Sequence, residues 1–134
     1  LTSIEMVRTT SSVSAPFTIR DLAEEFSVST RTIRLYEDKG LLHPVRRGNG
    51  QVRVFSGADK TRLRLTLRGK RLGFSLAEIK SILDLYDRPG GTKAQLEKFL
   101  STLAAHRREL QTKLQDIELQ LKEITAHERQ CKNF

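Results

Sequence analysis

The chain has 134 residues, enough for one domain or one small domain with an appendage, and is 37% hydrophobic and 30% charged. It lacks Trp, has only Tyr36 and Tyr86 as tyrosines, and has one cysteine, Cys131, which argues against a large aromatic-lined pocket and excludes an intrachain disulfide. Net charge is +8; residues 17–74 hold 13 Lys and Arg against 6 acids while 75–134 hold 10 against 9, so a polyanion partner is expected, nucleic acid ahead of an anionic membrane, beside the alternative of a merely solvated basic surface.

Residues 1–16 are rich in Ser, Thr and Val, lack the apolar run of a secretory signal, and read as a flexible tail. No run in the chain is apolar enough to span a bilayer, so a cytoplasmic location is expected. Thr18 with Asp21 resembles a capping box, and Ile19, Leu22, Ala23 and Phe26 then recur at helical spacing. Ser27-Val28-Ser29 forms a short turn. Ser29 or Thr30 caps a second helix whose apolar residues are Ile33 and Tyr36 and which ends at Gly40. Val45-Arg46-Arg47 and Val52-Arg53-Val54 flank Gly48-Asn49-Gly50, an Asn-Gly hairpin signal, with the arginines expected on one face.

Ser56 with Asp59 opens the segment 58–72. Residues 62–68 alternate as a strand would, but the preceding cap, the length of the run and Gly73 at its end favour a helix. Ser75 with Glu78 caps the next helix, whose apolar stripe is Leu76, Ile79, Ile82, Leu83 and Tyr86. Residues 87–91 contain Pro89-Gly90-Gly91 and form a linker. One long helix follows over 92–127, leaving 128–134 as a tail. Leu96, Leu103, Leu110, Ile117 and Ile124 fall seven apart, and Leu100, Leu114 and Leu121 form the second seam, interrupted at Arg107. This spacing predicts a coiled-coil dimerisation helix. The alternative is packing back on the same chain, which a helix of about 50 Å makes difficult for so small a head.

The expected fold is therefore mainly α: a winged helix-turn-helix head over 17–86 with a small β-hairpin wing, followed by the coiled-coil helix. In such a head the start of the second helix enters the major groove. Arg31 offers a bidentate fork to guanine, Thr30 or Thr32 bonds bases or phosphates, and Arg34 faces a phosphate. Thr18 and Tyr36 complete the candidate contacts of the two-helix unit. An ordinary helical hairpin in a bundle gives a similar pattern. The basic hairpin that follows favours DNA, with Arg46, Arg47 and Arg53 against the backbone or minor groove. Its alternative is a solvated edge protected from sheet pairing.

Thr18-Ile19, Leu22-Ala23, Val28-Ser29, Thr32-Ile33-Arg34, Tyr36-Glu37 and Gly40-Leu41-Leu42, followed by Arg46-Arg47, Arg53, Phe55-Ser56 and Leu72-Gly73-Phe74-Ser75-Leu76, resemble the signature of the mercury-resistance-regulator (MerR) family of bacterial transcription factors. The resemblance covers residues 17–86. It implies a homodimer joined by antiparallel coiled-coil helices, and a palindromic promoter with an overlong spacer that the dimer bends and untwists so that RNA polymerase engages it. It also matches Arg68, Lys70 and Arg71, with the turn 73–76, to the family's second wing on phosphate. Two departures stand out: many relatives have Tyr at the position of Leu35 and an aromatic at that of Val52, so those two contacts do not carry over.

Metal-sensing relatives place a cysteine at the start of the dimer helix, where this chain has Thr92-Lys93-Ala94. Cys131 with His127 four residues earlier could supply two ligands on one helix face, and a soft-metal site would need more from the other subunit, so no bound metal or other cofactor is expected, while a thiol- or metal-responsive regulator using Cys131 stands as the alternative. Residues 67–78, Asp84-Leu85-Tyr86-Asp87 and Gly90-Gly91 resemble the subgroup that controls branched-chain amino-acid and acyl-CoA catabolism, which implies a small-metabolite effector. The remaining alternative to a regulator is a DNA-architectural protein of the excisionase or partition type. No Ser/His/Asp set, glycine-rich phosphate loop or pair of carboxylates in an apolar setting points to an enzyme.

Overall fold

The computed structural model describes residues 16–85 and 90–133. The tail expected over 1–16 lies outside the described residues except for Pro16, as do Tyr86, most of the 87–91 linker and Phe134. The elements are α1 (Ile19–Phe26), α2 (Thr30–Asp38), β1 (Val45–Arg47), β2 (Val52–Val54), α3 (Gly57–Arg71), α4 (Leu76–Asp84) and α5 (Gly91–Lys132). No helix among the described residues is long and apolar enough to cross a membrane.

Local chemistry sets the helix starts. Thr18, Ser56 and Ser75 each accept from the backbone N–H three residues on, and Asp21, Asp59 and Glu78 accept in return from the cap residue's own N–H. These are capping boxes, and each cap contributes about 1 kcal/mol. Ser29 caps α2 by accepting from the Thr32 N–H at 3.0 Å. The end of α2 is set by Gly40, whose φ of +79° lets Gly40 N–H reach the Glu37 carbonyl at 3.0 Å and Leu41 N–H reach Tyr36 at 2.9 Å. Gly73, with φ +89°, closes α3 by the same two-bond motif.

The segment that alternates like a strand is helical. Leu63, Leu65, Thr66 and Gly69 are all buried in α3, so this helix is covered around a wide arc and shows no narrow apolar stripe. Its buried hydroxyls are satisfied within the helix: Thr61 donates to the Gly57 carbonyl at 3.2 Å and Thr66 to that of Arg62 at 2.7 Å.

The hairpin pairs Val45 with Val54, Arg46 with Arg53 and Arg47 with Val52. This corrects the expectation that all three arginines share a face. Cross-strand partners share a face and successive residues alternate, so Arg46 and Arg53 lie together while Arg47 lies on the other side with Val52. The turn also differs from the Asn-Gly expectation. Gln51 N–H donates to the Gly48 carbonyl at 3.0 Å, and the positive φ values fall on Gly48 (+78°) and Gln51 (+49°), not on Asn49 or Gly50. Asn49-Gly50 is thus the centre of a four-residue turn without the I′ geometry. At the base of the wing, Phe17 and Phe55 exchange two backbone hydrogen bonds of 2.8 Å, which ties the lead into α1 to the strand leaving the wing.

The described residues group into two compact units, divided between Phe99 and Leu100. The core of the first holds Leu22, Ile33, Leu41, Phe55, Leu63, Phe74, Ile79 and Ile82. The first turns of α5 belong to it. Phe99 meets Phe74 edge-on with ring centroids 6.1 Å apart, and the buried Gln95 amide donates to the Ile82 carbonyl at 2.8 Å.

Candidate nucleic-acid interface

Helix α2 divides its residues cleanly. Ile33 and Tyr36 are buried, whereas Arg31, Arg34, Leu35 and Asp38 are exposed at helical spacing and form one outward stripe. Arg31 and Arg34 have no charged or hydrogen-bonded partner among the described residues, and their guanidinium groups are available to an external anion. Thr30 is half-exposed in the first turn. The Thr32 hydroxyl lies 2.9 Å from Ser29 Oγ, so it supports the cap as well as bordering the stripe. Thr18 is exposed, with its hydroxyl accepting from Asp21 N–H at 3.0 Å.

Tyr36, expected among the DNA contacts, is 6% exposed and packs in the core, and burial raises its phenol above the ordinary value of 10.0. Three residues from Ile33, it lies on the inner face of α2 and supports the helix that carries the outward residues.

The wing is fastened to this helix by Glu37. Arg53 Nε donates to one carboxylate oxygen of Glu37 at 2.6 Å and Arg46 Nη2 to the other at 3.4 Å. The Glu37 side chain is only 16% exposed, so these charge-assisted bonds are partly shielded from solvent. Arg46 and Arg53 therefore set the hairpin's position against α2. Arg47, on the opposite face, is exposed and unpaired among the described residues. Glu37 is the functional residue that the sequence reading left without a role. The available signal was the pair of carboxylates ending α2, Glu37 and Asp38, beside a hairpin with two cross-strand arginines.

A second set of bonds holds the far end of α2. Arg62, 8% exposed, donates through Nε to the Leu41 carbonyl at 2.7 Å and through Nη2 to Asp84 at 2.9 Å. Lys80 donates to the other oxygen of Asp84. The Lys80 stem also lies over Gly40, where an added Cβ would come within 2.7 Å of Lys80 Cε. Burial pushes the Asp84 carboxyl up, but the hydrogen bonds and charges of Lys80 and Arg62 outweigh it and hold the group below its ordinary value. Other cations of the head are also engaged internally. Lys60 pairs with Glu25 at 3.0 Å and lies over the Phe17 ring, and Arg64 lies over that of Phe26.

At the end of α3, Lys70 and Arg71 are exposed and Arg68 is half-buried. On α5, Leu96, Leu100, Leu110, Leu114, Ile117, Leu121 and Ile124 are each 45–60% exposed, and Leu103 is half-buried. His127 and Cys131 are both exposed on the last turns of α5, and no group of three or more metal-ligating side chains occurs among the described residues.

A capped helix pair, an outward stripe with two free arginines and a basic hairpin clasped to the second helix define a winged helix-turn-helix DNA-binding protein. The family model described as MerR HTH family regulatory protein matches residues 17–85, and that described as MerR, DNA binding matches residues 60–127. The chain belongs to the MerR family of DNA-binding transcriptional regulators. It is 34% identical over 111 residues to the HTH-type transcriptional regulator HmrR of Rhizobium leguminosarum bv. viciae, covering 83% of this chain and 78% of the relative. It is 39% identical over 119 residues to the mercuric resistance operon regulatory protein of Serratia marcescens, covering 84% and 78%. Among solved structures, a MerR family transcriptional regulator from Bacillus cereus superimposes with a TM-score of 0.63 at 28% identity, covering 81% of this chain and 76% of that one.

Proposed function

We propose that this regulator acts as a homodimer on a palindromic promoter, with Arg31 reading bases from α2 and Arg47, Lys70 and Arg71 gripping phosphates. The observation that carries the dimer is the apolar seam on α5, whose leucines and isoleucines, apart from the half-buried Leu103, stand 45–60% exposed at heptad spacing. A strip of that length is covered in water by a second copy of the same strip. A dimer bound to two half-sites bends and untwists the spacer between them, which brings the promoter into register for RNA polymerase in the cytoplasm.

The signal is a small metabolite. The start of α5 reads Thr92-Lys93-Ala94, without a thiol, and Cys131 is the one cysteine of the chain. Soft-metal sites need several thiolate or imidazole ligands converging on one point. The likeness of residues 67–78 to the subgroup governing acyl-CoA catabolism supports a metabolite of that class.

Footprinting on the promoter region next to the gene, paired with light scattering of the free protein, tests this reading. Expected are a dimer mass and two protected half-sites related by a two-fold axis. Arg31→Ala should abolish sequence preference. A monomer in solution, or a single undivided footprint, refutes it.

A further inference from the structure

Outside α5, the large apolar side chains exposed among the described residues are Leu35, Val45, Val52 and Leu72. All four lie on or directly beside the elements that carry the proposed DNA contacts: the reading helix, the hairpin, and the C-cap of α3 next to Lys70 and Arg71. Leu35 is the most specific of them. Ile33 and Tyr36, its apolar neighbours on α2, are buried, while Leu35 is 44% exposed. It lies four residues after Arg31 and next to Arg34, within a stripe whose other members are charged.

That setting restricts what Leu35 can recognise. Its side chain has no donor or acceptor, so it contributes nothing to hydrogen-bonded readout of base edges. A phosphate offers it only desolvation. The apolar feature of the major groove is the 5-methyl group of thymine, and contact between the two removes apolar surface from water on both sides. We infer that Leu35 is a specificity-determining residue that selects a thymine through its methyl group, one helical turn along α2 from the base read by Arg31. The inference rests on α2 being the reading helix.

The test uses the full chain and the footprinted site. Each thymine in the site is replaced singly by deoxyuridine, which removes the methyl and leaves pairing, charge and hydrogen-bonding groups unchanged. One thymine per half-site should respond with affinity about fourfold weaker at fixed salt, the change for one lost methyl contact. Leu35→Ala should bind thymine and uracil versions equally, and should unfold at the wild-type midpoint because the side chain is exposed. Wild-type protein indifferent to uracil at every position overturns the inference, as does Leu35→Ala retaining the penalty. Arg31→Ala in the same assay separates the two assignments. Lost preference with no uracil effect in the wild type overturns Leu35 alone, whereas unchanged preference overturns α2 as the reading helix.

Discussion

Replacing Arg62 by Met removes a cation that anchors the end of the reading helix while keeping similar side-chain length. The Leu41 carbonyl then loses the Nε–H that lies 2.7 Å away. A buried acceptor left without its donor costs about 1–3 kcal/mol. Asp84 loses its 2.9 Å bond to Arg62 but keeps Lys80, and at 34% side-chain exposure it regains water, so its share stays below about 1 kcal/mol. Relief from desolvating a guanidinium offsets part of the loss. The net expectation is a destabilisation of about 2–3 kcal/mol. Urea unfolding followed by circular dichroism, at one fixed protein concentration because the proposed dimer would add to stability, reads this directly. With a slope of about 2 kcal/mol per molar urea, the midpoint should fall by about 1 M with the slope unchanged. Arg62→Lys should fall between, since one ammonium cannot reproduce the guanidinium fork that spans carbonyl and carboxylate. A shift for Arg62→Met equivalent to less than about 0.5 kcal/mol, the range of ordinary surface substitutions, refutes the anchoring role.

Glu37→Gln should release Arg46 and Arg53 from the reading helix and let both meet phosphates. The slope of log affinity against log salt should steepen by about one to two, while the ratio of specific to non-specific binding falls; an unchanged slope in a salt titration rules out the clasp. Asp84→Asn tests the depressed carboxyl by pH. A group whose folded pKa lies below its unfolded value contributes stability above the unfolded value, near about 3.9, and loses it as pH falls through the folded one. The variant should therefore be less stable than wild type at pH 7, and the gap should close as pH is lowered below the ordinary carboxylate range. A gap that persists at low pH in paired denaturation curves assigns the effect to packing instead.

Much of the architecture was legible because it depends on neighbours in sequence. Capping boxes act over three residues, the glycine closures at Gly40 and Gly73 over five, and the heptads of α5 over seven. Such interactions are encoded in spacing. The strand-like alternation of 62–68 gave way to helix because Ser56 supplied a start signal that a central strand does not need. The expectation that the wing's arginines share a face rested on alternation, yet the period of two itself separates Arg46 from Arg47.

The amino-acid sequence by itself determined the elements, the basic head and the outward placement of Arg31 and Arg34, since helical period and local caps suffice for each. Only the tertiary structure decided that Glu37 clasps Arg46 and Arg53, that Arg62 joins Leu41 to Asp84, that Tyr36 is core, and that Gln95 and Phe99 at the start of α5 complete the head. These pairings reach across 9 to 25 positions of chain. A charge carries no mark of its partner in its own sequence neighbourhood. Whether an arginine faces DNA or a partly shielded carboxylate is settled when packing brings distant elements together and partly desolvates the pair.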